Sequence, residues 1–501
     1  MTASCKGRGL WPRPFSLFFC ILALLSWRKY DILCNSVAPH PAQETETVGI
    51  DIMKENRSSF SGRIGFVLAA AGSAVGLGNL WRFPYLAAQH GGGIFILCYI
   101  ILTLTFGFAL MTTEIAIGRK TGLSCIGAYQ ALNRKFSFLG YVAWLVPIII
   151  LPYYSVIGGW VCKYVSVYVT GQAQAAAADG GAFFGAFTAN PSEPLGWFLL
   201  FLGLTSVAVL LGVEKGIEKV SKVMMPALIV IIIGICVYVL TLPGTFAGLK
   251  YYLVPDFSKF SLSTITAAMG QLFYSMSLAM GIMVTYGSYT RKDVSLVRSV
   301  NQIELFDTGV ALLAGLMIIP TVFAFQGEAG LSAAGPGLMF QSLPMIFAEM
   351  PGGQFVGLAF FVLVLFAALT SSISLMETIV SMFMDRLKLG RKTACVAVLV
   401  ISLLLGVPSS LGNGLWSHIT LLGRDFLSFF DFISNNVIMP IVALLTCLLV
   451  GWIVGTKTVT DEVTLNGEKF GRKRLYEIMT KYLAPLFLVI ILLEGIGILK
   501  V

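Results

Sequence analysis

The run Gly72-Ser73-Ala74-Val75-Gly76-Leu77-Gly78-Asn79-Leu80-Trp81-Arg82-Phe83-Pro84 decides how this chain is read. It lies within a segment apolar enough to cross a bilayer, yet it holds three glycines, an asparagine, an arginine and a proline. Glycine destabilises a helix interior, and proline does so more strongly. In hydrocarbon, the backbone groups freed by a broken helix must find partners inside the protein. The run therefore predicts a spanning helix opened near mid-membrane, its carbonyls and amides free to hold something polar.

The rest of the chain supplies the membrane context. Its 501 residues are 57% hydrophobic and 12% charged, with a mean hydropathy of +0.85, which excludes an ordinary soluble domain. A crossing takes about 20 apolar residues, and about eleven such segments follow residue 60. They are predicted at 63–88, 93–117, 139–169, 195–212, 221–242, 263–288, 302–325, 354–384, 393–407, 428–454 and 482–499, and are called spans 1 to 11. The expected fold is an all-α polytopic membrane protein with about eleven transmembrane helices.

The net charge of +9 is no nucleic-acid footprint, because the basic residues collect in alternate loops. Arg119, Lys120, Arg134 and Lys135 follow span 2; Lys215, Lys219 and Lys222 follow span 4; Arg291, Lys292 and Arg298 follow span 6. Arg386, Lys388, Arg391 and Lys392 follow span 8, and Lys457, Lys469, Arg472, Lys473 and Arg474 follow span 10. By the positive-inside rule these loops are cytoplasmic. The start of span 1 is then inside and the C-terminus outside, in a plasma (inner) membrane.

The nine cysteines show no metal-ligand spacing and are read as structural thiols. In residues 1–52, Lys6, Arg8 and Arg13 precede a short apolar run from Phe15 to Leu25, a pattern like a signal peptide's. A cleaved signal would place the start of span 1 outside, against every later loop. Residues 1–52 are therefore expected to be an atypical extension, disordered or upstream of a true start at Met53.

Span 6 carries a second polar interruption, from Gly270 through Gln271, Tyr274, Ser275 and Ser277 to Gly281. Spans 1 and 6 correspond if spans 1–5 and 6–10 form two halves, and five crossings per half make the second inverted. The domains expected on that basis are 53–242 and 243–455, with a cytoplasmic loop and span 11 in 456–501. Paired, glycine-interrupted segments in two halves point to a transporter's midplane site. The bland alternative is close helix packing, which the Gly72-x-x-x-Gly76 spacing would also serve. Amide and dipole ends favour a carboxylate, and loose carbonyls favour a cation, so a zwitterion with sodium fits. Thr370, Ser371 and Ser372 in span 8 offer further oxygens, unless each hydroxyl merely bonds its own preceding turn. Asp307 is an acid in an apolar span, functional by default or else half of a structural ion pair.

These residues resemble the neurotransmitter:sodium symporter family, in its bacterial amino-acid-transporting branch. The likeness runs from about Ser58 to the end and rests on the first stretch through Pro84, Tyr153-Tyr154, Gln271 to Gly281 with Ser288-Tyr289, and Leu369 to Ser372. The paired-interruption rule was itself drawn partly from such symporters, so it is not independent support. The resemblance implies one sodium site built from the Ala74 carbonyl, Asn79, Ser275, Asp307 and the substrate carboxylate. It implies a second from the carbonyls of Gly72, Val75 and Ala367 with the hydroxyls of Thr370 and Ser371. Substrate would meet Ser73, Ala74, Gly76, Ile150, Tyr154, Tyr274, Ser275, Ser277, Met280 and Leu375. Arg82 and Asp431, helped by Gln271, would form an outer gate, and Arg57 with Asp385 an inner one. A bundle of spans 1, 2, 6 and 7 would rock against a scaffold of spans 3, 4, 8 and 9.

Two departures shape the expected cargo. Asp307 stands where many relatives carry Asn, which suggests transport without chloride. Gly76 stands where amine-transporting relatives carry Asp, which favours a neutral, hydrophobic or aromatic L-amino acid. Na+ is the expected coupling ion, one or two per cycle, and the partners are the lipid bilayer and the substrate, with no nucleic acid. A monomer or weak homodimer is expected. An ion channel would need a pore lined by repeated rings, and none is evident. Enzyme chemistry finds no support in the scattered His40, His90 and His418. A transport-inactive, substrate-sensing receptor of the same fold stays open on sequence alone.

Overall fold

A computed structural model describes residues 59–330 and 337–499. The extension 1–52, Met53 and Arg57 lie outside the described residues. Within them, nine continuous helices are long and apolar enough to cross a membrane, and a bent pair brings the number to ten. That pair is span 1, Arg63–Ala74 and Gly78–Gln89, bent by 51°. Spans 2 to 5 run over Gly93–Thr121, Arg134–Val169, Glu193–Leu210 and Val213–Leu240. Spans 7 to 11 run over Leu296–Gly327, Gly353–Leu387, Arg391–Leu411, Phe426–Ile453 and Lys473–Gly495. The sixth predicted span is present as two shorter helices, Leu262–Ser275 and Ile282–Ser288. No strand occurs among the described residues, only two isolated bridges.

Several ends differ from the sequence expectation. Span 5 begins at Val213, so Lys215, Lys219 and Lys222 ride its first turns rather than a loop. Span 11 begins at Lys473 and stops at Gly495, where 482–499 was expected. Apolarity marks the length of chain in hydrocarbon, while the helical hydrogen bonds continue past it into the basic interface.

The two breaks differ in kind. In span 1 the helix ends where Val75 turns extended (φ −74°, ψ 101°), and a π-helical turn, Gly78–Arg82, follows. Such turns are common at functional sites. In span 6 the break is narrower than Gly270 to Gly281, since Gly270 stays within its helix. Met276–Gly281 is the non-helical part, and Ser277 and Ala279 adopt positive φ (52° and 59°) alongside Gly281 (72°). Left-handed non-glycine residues are strained and persist where surroundings hold them. Here the Ala279 amide donates to Glu114 Oε1 at 2.7 Å.

Packing brings the two broken spans together. Spans 3 and 8 lie against each other, and the first half of span 1, Arg63–Ala74, is enclosed by spans 5, 7 and 8. Span 2 packs on the second half of span 6, where Gly118 and Gly287 each face the other helix's backbone with no room for a Cβ. Spans 5 and 11 are peripheral, with only 33% and 28% of their most apolar windows buried, so their valine and leucine faces are the lipid-facing surface.

Candidate functional site

Three carbonyls of the opened first span converge on one hydroxyl of span 8. Ser371 Oγ lies 3.0 Å from the Ser73 carbonyl oxygen, 3.3 Å from that of Val75 and 3.4 Å from that of Gly72. Beside it, Thr370 Oγ1 donates to the carbonyls of Phe366 (3.0 Å) and Ala367 (3.1 Å). The Thr370 Cβ would stand 3.2 Å from a Cβ added to Gly72. Gly72, Val75, Ala367, Thr370 and Ser371 are therefore neighbours, as expected. The third hydroxyl is not part of the group, because Ser372 Oγ pairs with Thr205 Oγ1 of span 4 at 3.0 Å. An α-helix turns 100° per residue, so three consecutive hydroxyls cannot share a face.

A second group of oxygens forms on the other side of the break. Asn79 Nδ2 donates to Asp307 Oδ1 (2.8 Å), to the Asp307 carbonyl (3.1 Å) and to Ser275 Oγ (2.9 Å). Ser275 Oγ donates to the same Asp307 Oδ1 at 2.7 Å. Asn79 Oδ1 accepts the Gly76 amide at 3.0 Å, tying the side chain to the break. Tyr99 of span 2 adds a hydroxyl, donating to Asp307 Oδ2 at 3.2 Å. Asn79, Tyr99 and Asp307 are fully buried, with no cationic side chain among their hydrogen-bond partners. A buried carboxylate paired only with neutral donors is a strong attractor for a cation. Among the described residues Asp307 makes no ion pair, against the structural ion-pair alternative.

Between these groups lies a narrow cavity of about 20 Å³, closed down to roughly the room of a water molecule, whose walls include Ser73, Ala74, Gly76, Ile150, Tyr154, Tyr274, Ser277, Met280 and Leu375. Nine of the ten predicted substrate contacts thus meet in one space. Ser275 lies instead with Asn79 and Asp307. The Tyr154 hydroxyl in the cavity wall accepts the Leu77 amide at 3.3 Å. The apolar part of the lining comes from Ile150, Met280, Ile282 and Leu375. Ser73 Oγ bonds Ser374 (2.6 Å) and Ser277 (3.2 Å), so it staples span 1 to spans 6 and 8. A Cβ at Gly76 would fall 2.6 Å from Ser371 Oγ and 3.0 Å from the Tyr154 hydroxyl, so an aspartate has no room there.

The residues expected to form gates lie apart from one another. The Arg82 guanidinium lies 5.3 Å from the centre of the Tyr274 ring, which lines the cavity. Gln271 Nε2 donates to the Gly78 carbonyl at 2.8 Å. Asp431 accepts from the Tyr153 hydroxyl (3.2 Å) and Asn435 Nδ2 (2.7 Å). Arg82 and Asp431 make no ion pair with each other in this conformation. Asp385 accepts the Ser124 amide at 2.9 Å, while Arg57 lies outside the described residues.

Sequence reasoning missed Tyr99 and Ser374. Ser374 had a signal, since it follows Ser371 by three residues on one helix face. Tyr99 had none, as it stands among apolar neighbours.

The model of the sodium:neurotransmitter symporter family matches residues 57–176 and 193–500. The chain belongs to that family. It is thus a sodium-dependent membrane transporter rather than an enzyme. It is 37% identical over 446 residues to YhdH, a sodium-dependent transporter of Bacillus subtilis, spanning 88% of this chain and 98% of the relative. The sodium- and chloride-dependent taurine transporter of Canis lupus familiaris is 27% identical, over 81% of this chain and 73% of its own. Among solved structures, MhsT in complex with L-phenylalanine aligns with a TM-score of 0.80 at 38% identity, over 88% of this chain and 100% of that one. Symporter architecture accounts for the broken spans, the apolar helices and the buried oxygens together.

Proposed function

We propose that this transporter imports a neutral L-amino acid with a hydrophobic or aromatic side chain, driven by sodium, through alternating access. The observation that carries the proposal is one cavity flanked by two clusters of buried oxygens, with the opened first span contributing to all three. The substrate carboxylate would sit at the span 1 break near Tyr154 and Ala74, where it can complete the Asn79–Ser275–Asp307 sodium site. The Gly72–Val75–Ala367–Thr370–Ser371 group would hold a second ion. Hydroxyl, carbonyl and carboxylate oxygens are the ligands a hard cation prefers. Asp307 supplies a fixed negative charge there, so chloride is not required. The apolar lining of Ile150, Met280 and Leu375 favours an apolar side chain, for which the narrow cavity would have to widen, and methionine can repack to let it do so. The 38% identical structure holding L-phenylalanine supports that class.

Sodium and substrate together would draw Arg82, Tyr274 and Asp431 over the cavity. Spans 1, 2, 6 and 7 would then rock against spans 3, 4, 8 and 9, opening the side of Asp385. Sodium drives the cycle only by binding one conformation better than the other. The halves 53–242 and 243–455 would form the inverted repeat, with 456–501 appended. The start of span 1 would be cytoplasmic and the C-terminus external, in the plasma (inner) membrane, as a monomer or weak homodimer.

The test is uptake of a panel of labelled L-amino acids into proteoliposomes with and without an inward sodium gradient. Saturable, gradient-driven uptake of apolar amino acids is expected. Binding without uptake would instead mark a substrate-sensing receptor.

A further inference from the structure

The segment between spans 10 and 11, residues 454–472, touches neither the cavity nor the oxygen clusters, yet buried charges pin it in place. Arg119, at the inner end of span 2, is only 3% exposed. Its Nε donates to Glu462 Oε1 at 2.8 Å, its Nη1 to the Val294 carbonyl at 2.6 Å, and its Nη2 to the Glu462 carbonyl. Lys292 Nζ reaches the same Glu462 oxygen at 2.8 Å. Asn466 Nδ2 donates to the Lys292 carbonyl (2.7 Å), Ser295 Oγ to Glu468 Oε2 (2.7 Å), and Lys120 Nζ to the Thr458 carbonyl (3.2 Å). At the far end Arg472 donates to Glu304 Oε2 (2.9 Å), Asn301 and the Leu104 carbonyl (3.1 Å), with its guanidinium over the Phe108 ring.

The destinations share one property. Leu104, Phe108, Arg119 and Lys120 belong to span 2; Lys292, Val294 and Ser295 form the turn between spans 6 and 7; Asn301 and Glu304 belong to span 7. Among the described residues, none of this segment's hydrogen bonds or ion pairs reaches spans 3, 4, 8 or 9. A loop that only returned the chain across the interface would offer its charges to water. Instead a buried guanidinium spreads its donors over two carbonyls and a carboxylate, which fixes the relative position of three elements. Glu304 also lies one helical turn before Asp307, so the segment grips the helix that carries the sodium-type carboxylate.

We infer that residues 454–472 form an inner clamp that moves with spans 2 and 7 as one body during transport. This rests on the rocking motion proposed above: the clamp is carried with the moving bundle, and its contacts do not open or close with the gates.

The experiment cross-links the clamp to the bundle in a cysteine-free background. Ser295→Cys with Glu468→Cys is joined by a short bifunctional maleimide, and sodium-driven uptake is compared before and after. A control pair, Tyr289→Cys with Glu377→Cys, joins span 6 to span 8, whose side chains meet at 2.7 Å. Uptake after cross-linking at more than half its starting rate for the clamp pair, with more than tenfold loss for the control, is the expected result. Loss of uptake on joining the clamp pair overturns the inference. If Ser295→Cys with Glu468→Cys fails to insert, Lys292→Cys with Asn466→Cys makes the same comparison. Absence of any sodium-driven uptake before cross-linking counts against the transport reading itself, and undiminished uptake with the control joined counts against the rocking motion.

Discussion

Asn79 Nδ2 stands 2.8 Å from Asp307 Oδ1, joining the opened first span to span 7 inside the membrane. The asparagine reads the break through its bond to the Gly76 amide and reads span 7 through the carboxylate. An ion placed between them would therefore feel both elements.

Asp307→Asn removes the charge and keeps the shape, but leaves one acceptor oxygen where the carboxylate has two, so the bonds from Asn79 and Ser275 to Oδ1 and from Tyr99 to Oδ2 cannot all be kept. Hydrogen bonds to a charged group contribute about 1.5–3 kcal/mol, roughly twice a neutral bond. The sodium concentration for half-maximal uptake is expected to rise by about tenfold, since about 1.4 kcal/mol is a factor of ten. A sodium titration of uptake checks this, and an unchanged midpoint contradicts the assigned role.

Wild-type uptake is expected to be indifferent to replacement of chloride by gluconate on both sides of the vesicle. The reason is that Asp307 already supplies the fixed negative charge beside the proposed ion. A collapse of uptake in gluconate would remove this account.

Ser371→Ala takes away the hydroxyl shared by the Gly72, Ser73 and Val75 carbonyls. Thr370→Val removes a hydroxyl that bonds its own helix. A buried carbonyl left without a partner costs about 1–3 kcal/mol, so Ser371→Ala should weaken sodium dependence several-fold more than Thr370→Val. Equal effects in parallel sodium titrations would show that the two hydroxyls share one role.

Gly76→Ala forces a methyl against Ser371 Oγ at 2.6 Å and the Tyr154 hydroxyl at 3.0 Å. Uptake is expected to fall at least about tenfold while membrane insertion is unchanged, because a misplacement near 1 Å at a site costs about 10²-fold. Normal uptake by an inserted Gly76→Ala protein would mean that substrate does not use this side of the cavity.

Legibility in the sequence followed the range of the interactions. Apolar length predicted the spans, because hydrocarbon thickness acts on each segment separately. Glycines and proline exposed the break at Gly72 to Pro84, because they alter backbone energy locally. The break in span 6 was misplaced, since Ser277 and Ala279 hold left-handed conformations that no residue preference announces and that the Glu114 contact supports. Arg119 looked like one more basic loop residue and is instead buried against Glu462. Its partner lies 343 residues away along the chain.

By itself, the sequence determined an all-helical membrane chain with two polar interruptions, basic loops on one side and a specific family resemblance. Only the tertiary structure decided which hydroxyl of span 8 faces the broken backbone, that Tyr99 supports Asp307, and that Arg82 and Asp431 stand apart in this conformation. Composition, hydropathy and helix breaking act over one turn or one membrane thickness of contiguous chain. The direction in which a side chain points across a helix interface depends on rotations of several spans at once, which no local stretch encodes.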